Sequence, residues 1–212
     1  DKELHFLCHY DYRGLSEEDV ETYRAAFAAP PGKICGEFSG NILQHPMAIA
    51  YMAQAAPSAK IIALVRNPID RTISAYNQFM SFRAPALVPE NGPMRRIFEN
   101  FSLFPEAMNA SRLARPFREV LDHFPREQVL VLQYEACRAD PVTAIRQTWD
   151  FLGLRQTGTP PGLRQRGHRI PYVIERPNPT QRQQMATWFQ GDVDAFFGMF
   201  PELDRSLWED FA

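Results

Sequence analysis

The stretch Lys60-Ile61-Ile62-Ala63-Leu64-Val65-Arg66-Asn67-Pro68 constrains this chain more than any other. A continuous apolar run, without polar alternation, predicts a strand buried on both faces, as in parallel sheets covered by helices. Asn67-Pro68 then opens a helix at once, through Tyr76 and Phe79. Gln128-Val129-Leu130-Val131-Leu132 reads as a second such strand, and Lys33–Phe38 is a shorter, mixed run after Pro30-Pro31-Gly32. Helical patterns lie between them. Ser16 caps Glu17-Glu18-Asp19 in a helix to about Ala28, and Pro46 opens one to about Ala55. Asp140-Pro141 opens a helix with Ile145, Trp149 and Leu152 on one face, stopped by Gly153. A long helix runs from Asn178-Pro179 to just before Pro201. This alternation predicts an α/β fold, a parallel sheet flanked by helices, in a single domain over residues 1–212.

Composition narrows the function classes. With 23 basic and 25 acidic side chains the net charge is −2, against a nucleic-acid binder. No apolar run approaches the ~18 residues of a membrane span. The start, Asp1-Lys2-Glu3-Leu4-His5, has no signal-peptide layout and no Met, so residues are expected upstream. The three cysteines, Cys8, Cys35 and Cys137, are odd in number and far apart. They argue against a zinc knuckle or disulfide framework and for a reducing, cytoplasmic setting. No clustered metal ligands appear, so no metal is expected.

Arg66 falls at the carboxyl end of a buried strand, where open α/β sheets bind ligands, beside the free N–H groups of a helix start. Ser74 lies about two turns on, near the same helix face. On the residues alone two readings stand: a phosphate site, or Arg66 salt-bridged to Asp70 with a packed serine. The segment resembles the 3′-phosphate-binding segment of sulfotransferases that use 3′-phosphoadenosine 5′-phosphosulfate. There an arginine closes a strand, a (D/N)-P pair follows, and a serine comes eight residues after the arginine; Arg71 and Tyr76 also fill matched places. The resemblance implies a P-loop-like fold and a 3′-phosphate held by Arg66 and Ser74.

Two further segments resemble the same family. The strand ending in Tyr134-Glu135, the Asp140-Pro141 helix start and the Phe151-Leu152-Gly153 close match in order and spacing, which implies Tyr134 at the adenine pocket. By itself Tyr134 could equally close the core. Arg164–Arg169 is a basic loop that reads alone as a solvated charge run. It is similar to the late basic-glycine loop that closes over the nucleotide, implying cofactor-binding roles for Arg166, Gly167, His168 and Arg169. Gly167 would let backbone N–H groups approach the 3′-phosphate.

Lys2-Glu3-Leu4-His5-Phe6 resembles the Lys-Glu-x-His-Phe segment of heparan sulfate 3-O-sulfotransferases and bacterial relatives, implying Glu3 as general base with His5 beside it. An attacking hydroxyl must lose its proton, which a carboxylate or imidazole in reach accepts. Glu3 and His5 share one face if this segment is extended. The chain departs from the family at Cys8, where an acid is common, and at Phe38, where a lysine often follows the Gly-Glu of the next strand. It also lacks the family's N-terminal strand, phosphosulfate loop and helix, which fits a chain incomplete at its start. The function implied is sulfuryl transfer to a hydroxyl or amine of a glycan, small molecule or natural product. Loops 83–105 and 155–179 are expected to set the acceptor. The competing classes are a non-catalytic nucleotide-binding module of the same fold and a P-loop nucleoside kinase, for which no Walker A loop is visible.

Overall fold

The computed structural model describes residues 4–10, 13–45, 47–83, 105–156, 158–160, 162–163 and 177–212. Helix starts follow the capping chemistry read from the sequence. The Ser16 hydroxyl accepts from the Asp19 N–H (3.1 Å) while the Asp19 carboxylate accepts from the Ser16 N–H (2.9 Å). This reciprocal cap opens α1 (Glu17–Ala25), which stops three residues short of Ala28. The expected second helix is α2 (Ala48–Ala55); Pro46 lies outside the described residues. Asn67 Oδ1 accepts from the N–H groups of Ile69 (2.9 Å) and Asp70 (3.4 Å), opening α3 (Pro68–Arg83).

Two helices had no clear cap in the sequence, α4 (Pro105–Ser111) and α5 (Ala114–His123). A short α6 (Tyr134–Ala139) leads to α7 (Pro141–Leu152), whose first N–H groups bond Asp140 Oδ1 at 3.1 Å. Gly153 ends α7 at φ 72°, a left-handed conformation that suits glycine. Asn178 and Gln181 form the reciprocal cap of α8 (Pro179–Met199).

Strands β1 (Ile61–Val65) and β2 (Val129–Gln133) are neighbours in a parallel pair, giving the α/β fold expected. Burial on both faces does not hold for β1. Ala63 and Val65 are buried, whereas Ile62 and Leu64 are 40% and 60% exposed. That face is only partly covered, so the uninterrupted apolar run overstated its burial. Lys33–Phe38 is not a strand either. No described strand lies alongside to pair with it, and Ile34 and Phe38 are exposed.

Residues 1–61 with 115–130 form one compact unit, and residues 62–114 with 131–212 a second. In the first, Leu7, Leu15, Val20, Tyr23, Ala48, Tyr51 and Ala55 make a core that half-buried Phe6, Tyr10 and Phe27 extend. Gln128 donates to the carbonyls of Pro57 (3.1 Å) and Ala59 (2.8 Å).

In the second unit α8 supplies the core with Met185, Phe189, Val193, Phe196 and Phe197. Trp208, fully buried, stacks on Phe196 at 6.0 Å and meets Phe197 edge-on at 5.0 Å. Ser111 joins α4 to α3, accepting from Arg71 (3.1 Å) and Thr72 (2.8 Å). These contacts fix α3, and through it the turn after β1.

Candidate active site

Arg66 follows β1 directly, and its guanidinium carbon lies 4.9 Å from the centre of the Tyr134 ring at the end of β2. Arg138, one turn along α6, lies over the same ring at 5.8 Å. An open depression of about 370 Å³ is lined by Arg66, Asp70, Tyr134, Glu135, Arg138 and Ala139. Its backbone is tied across the strand ends. Glu135 accepts from the Asn67 N–H (3.0 Å) with one oxygen and from the Trp208 indole N–H (3.1 Å) with the other.

Charge in the depression is unevenly committed. Glu135 is occupied by those two donors. Asp70 accepts from Arg182 Nη1 at 2.9 Å and stands 3.9 Å from Arg66 Nη2. Arg66 Nε is buried with no acceptor among the described residues. A buried donor left unsatisfied costs about 1–3 kcal/mol, a cost that an anion's oxygen would remove. Each reading of Arg66 keeps an observation: Nη2 forms an ion pair with Asp70 Oδ2 at 3.9 Å, and Nε has room for an acceptor.

The other sequence candidates fall as follows. Ser74 is half-buried on α3 and does not line this depression. Arg71 is turned to Ser111, and burial pulls its pKa below the usual arginine value. Tyr76 is core. Glu3, Arg166, Gly167, His168 and Arg169 lie outside the described residues. Sequence reasoning missed Arg138 and Asp70 as lining groups. Their signal was positional, since each stands four residues beyond a residue it did single out, Tyr134 and Arg66.

The second candidate region belongs to the first unit. His5 is not in extended backbone. It adopts φ 51° and opens a tight turn over Phe6–Cys8, closed by the Cys8 N–H to the His5 carbonyl at 3.0 Å, with Leu7 buried beneath. His5 is therefore not part of a strand, and Glu3, the other residue of the expected alternation, lies outside the described residues. Asn41 Oδ1 faces His5 Nδ1 at 2.9 Å and the Cys8 thiol at 3.8 Å, and Asn41 Nδ2 faces His45 Nε2 at 3.3 Å. With Asn41 in this orientation, the His5 tautomer protonated on Nδ1 donates to Asn41 Oδ1. Glu37 accepts from the Tyr23 hydroxyl at 3.2 Å, and its other oxygen is buried without a partner among the described residues. Burial first, and then Glu37, raise the pKa values of both Cys8 and Tyr23.

Residues 42–166, more than half the chain and spanning Arg66, Ser74 and Tyr134, match the model of the sulfotransferase domain. The chain belongs to that family. The chain is 31% identical over 175 residues to mouse heparan sulfate glucosamine 3-O-sulfotransferase 6, covering 74% of this chain and 49% of the relative. It is 30% identical over 128 residues to mouse heparan sulfate glucosamine 3-O-sulfotransferase 3B1, covering 59% of this chain and 32% of the relative. It thus spans half or less of these relatives' length. A sulfotransferase from Alicyclobacillus acidocaldarius shares its fold, with a TM-score of 0.70 and 24% identity over 99% of this chain and 86% of that one. Among the described residues no metal-holding group of His, Cys, Asp or Glu occurs, and no helix is long and apolar enough to cross a membrane.

Proposed function

We propose that this protein is an enzyme that moves a sulfuryl group from 3′-phosphoadenosine 5′-phosphosulfate to a hydroxyl or amine of a glycan or natural product. One observation carries the reading. Arg66, at the carboxyl end of β1 beside the N-terminus of α3, keeps a buried N–H without an acceptor among the described residues. A 3′-phosphate oxygen supplies that acceptor, and the helix start favours its charge. The bound nucleotide would supply the activated sulfuryl group; the residues of this chain bind, orient and deprotonate. Arg66 takes the 3′-phosphate and Tyr134 borders the adenine, while Ser74, which does not line the depression, is assigned to the 3′-phosphate on sequence grounds alone. Arg166, Gly167, His168 and Arg169 take the nucleotide's outer side on sequence grounds.

Glu3 accepts the acceptor's proton, and His5, hydrogen-bonded to Asn41, orients the hydroxyl. The names of the mouse relatives favour a glucosamine-containing glycan as acceptor. Three free cysteines support a reducing, cytoplasmic setting. Calorimetric titration with adenosine 3′,5′-bisphosphate tests the reading. Arg66→Ala removes a charge-assisted contact, so affinity should fall by about 2 kcal/mol, roughly thirtyfold. Equal dissociation constants for the two proteins would remove Arg66 from the site.

A further inference from the structure

Arg182 stands on α8, more than a hundred residues from the Arg66 motif, yet it reaches the same carboxylate that borders the anion site. Its Nη1 donates to Asp70 Oδ1 at 2.9 Å, and its Nε donates to Asp210 Oδ1 at 2.8 Å. Arg182 Nη2 donates to Asp210 Oδ2, the oxygen that also accepts from Asn67 Nδ2 at 3.0 Å. Asn67 is the cap of α3 and the residue next to Arg66. A single guanidinium thus holds the C-terminal turn around Asp210 and the first turn of α3 together.

Asp70 Oδ2 already forms a long ion pair with Arg66 Nη2 at 3.9 Å, while Oδ1 is held by Arg182, and without Arg182 the whole carboxylate is free to close on Arg66. An Asp70 held by Arg66 would neutralise the cation and set a carboxylate where an anionic ligand must sit.

We infer that Arg182 is a positioning residue for the nucleotide's 3′-phosphate. By holding and neutralising Asp70, it leaves Arg66 to the ligand. Glu135, the other carboxylate lining the depression, is already committed to Asn67 and Trp208. Asp70 is therefore the carboxylate whose placement decides the charge that a phosphate meets. Arg suits this task and Lys does not, because two carboxylates are served at once by separate edges of a planar fork. The inference rests on the proposed nucleotide site.

The test titrates adenosine 3′,5′-bisphosphate into wild type, D70N, R182Q/D210N and D70N/R182Q/D210N, with thermal melts alongside. Changing Arg182 and Asp210 together removes the half-buried charge pair without stranding either partner. R182Q/D210N should bind about five- to tenfold more weakly, the scale of one freed ion pair at a partly exposed site. Adding D70N should restore binding to within about twofold of D70N alone, and the deficit should shrink at high salt. A general loss of packing would produce neither the rescue nor the salt dependence. Should R182Q/D210N melt early, R182K is compared with D70N/R182K in its place, with the same rescue expected. Wild-type affinity in R182Q/D210N, or a loss that D70N does not restore, overturns the role of Arg182 alone. Failure of wild type to bind the nucleotide overturns the site reading and this inference together.

Discussion

The two candidate regions are held in opposite ways. The turn bearing Arg66 and the turn bearing Tyr134 are tied by contacts from distant parts of the chain: Asn67 to Asp210, Glu135 to Trp208, Arg182 to Asp70. The residues around His5 form a smaller set within the N-terminal unit, with Asn41 at its centre and Glu37 keeping an oxygen buried without a partner among the described residues. Arg66 Nε, a buried donor with no acceptor among the described residues, stands within that frame of long-range ties, and the proposed function gives it a ligand oxygen. Under the proposed function the region of Arg66 and Tyr134 binds the nucleotide and the region around His5 handles the acceptor's proton.

Glu3→Gln breaks that division most sharply if it is wrong. It should lower kcat by about 10²–10⁴ while leaving the affinity for adenosine 3′,5′-bisphosphate nearly unchanged. Turnover kinetics beside calorimetry show both. A variant that loses nucleotide affinity as well would merge the two regions, and near-normal turnover would pass the base role to His5.

Trp208→Ala probes the frame itself. Trp208 is fully buried against Phe196 and Phe197, so its removal should cost about 3–5 kcal/mol in chemical unfolding. A loss under 1 kcal/mol would mean that the C-terminal turn does not hold the Arg66 side.

Acid should weaken the same frame. Burial by itself would raise the Asp210 pKa, but hydrogen bonds from Arg182 and Asn67 outweigh it and hold the carboxyl below its ordinary value. A carboxyl depressed on folding stabilises the protein above its unfolded pKa of about 4, and that contribution is lost as pH falls through the lower folded value. Thermal melts of wild type should therefore drop more steeply below about pH 4 than those of D210N. Parallel curves would deny Asp210 this role. The smallest effect is expected at the cap of α8, where Asn178→Ala should cost about 1 kcal/mol by denaturant melt, with nucleotide affinity unchanged.

Local chemistry was the part of the fold legible in the sequence. Ser16, Asn67, Asp140 and Asn178 each cap the helix they announce, because an N-cap is decided within four residues. Burial was less legible. An apolar run shows that a strand could be covered, not what covers it, and Leu64 remains exposed. Lys33–Phe38 failed as a strand for the related reason that pairing is a property of two segments. At the site, Arg66 and Tyr134 were legible from their places at strand ends, and the structure does bring them together. Arg182 and Asp210 were not. Their contacts to Asp70 and Asn67 span 112 and 143 residues, and no local pattern marks a partner that distant.

The central claim is that Arg66 reads a 3′-phosphate. The most direct measurement compares adenosine 3′,5′-bisphosphate with adenosine 5′-monophosphate by calorimetry, on wild type and on Arg66→Ala. Wild type should prefer the bisphosphate by at least about tenfold, and Arg66→Ala should lose most of that preference while binding the monophosphate nearly as wild type does. A wild type indifferent to the 3′-phosphate, or a preference that survives Arg66→Ala intact, would contradict the account.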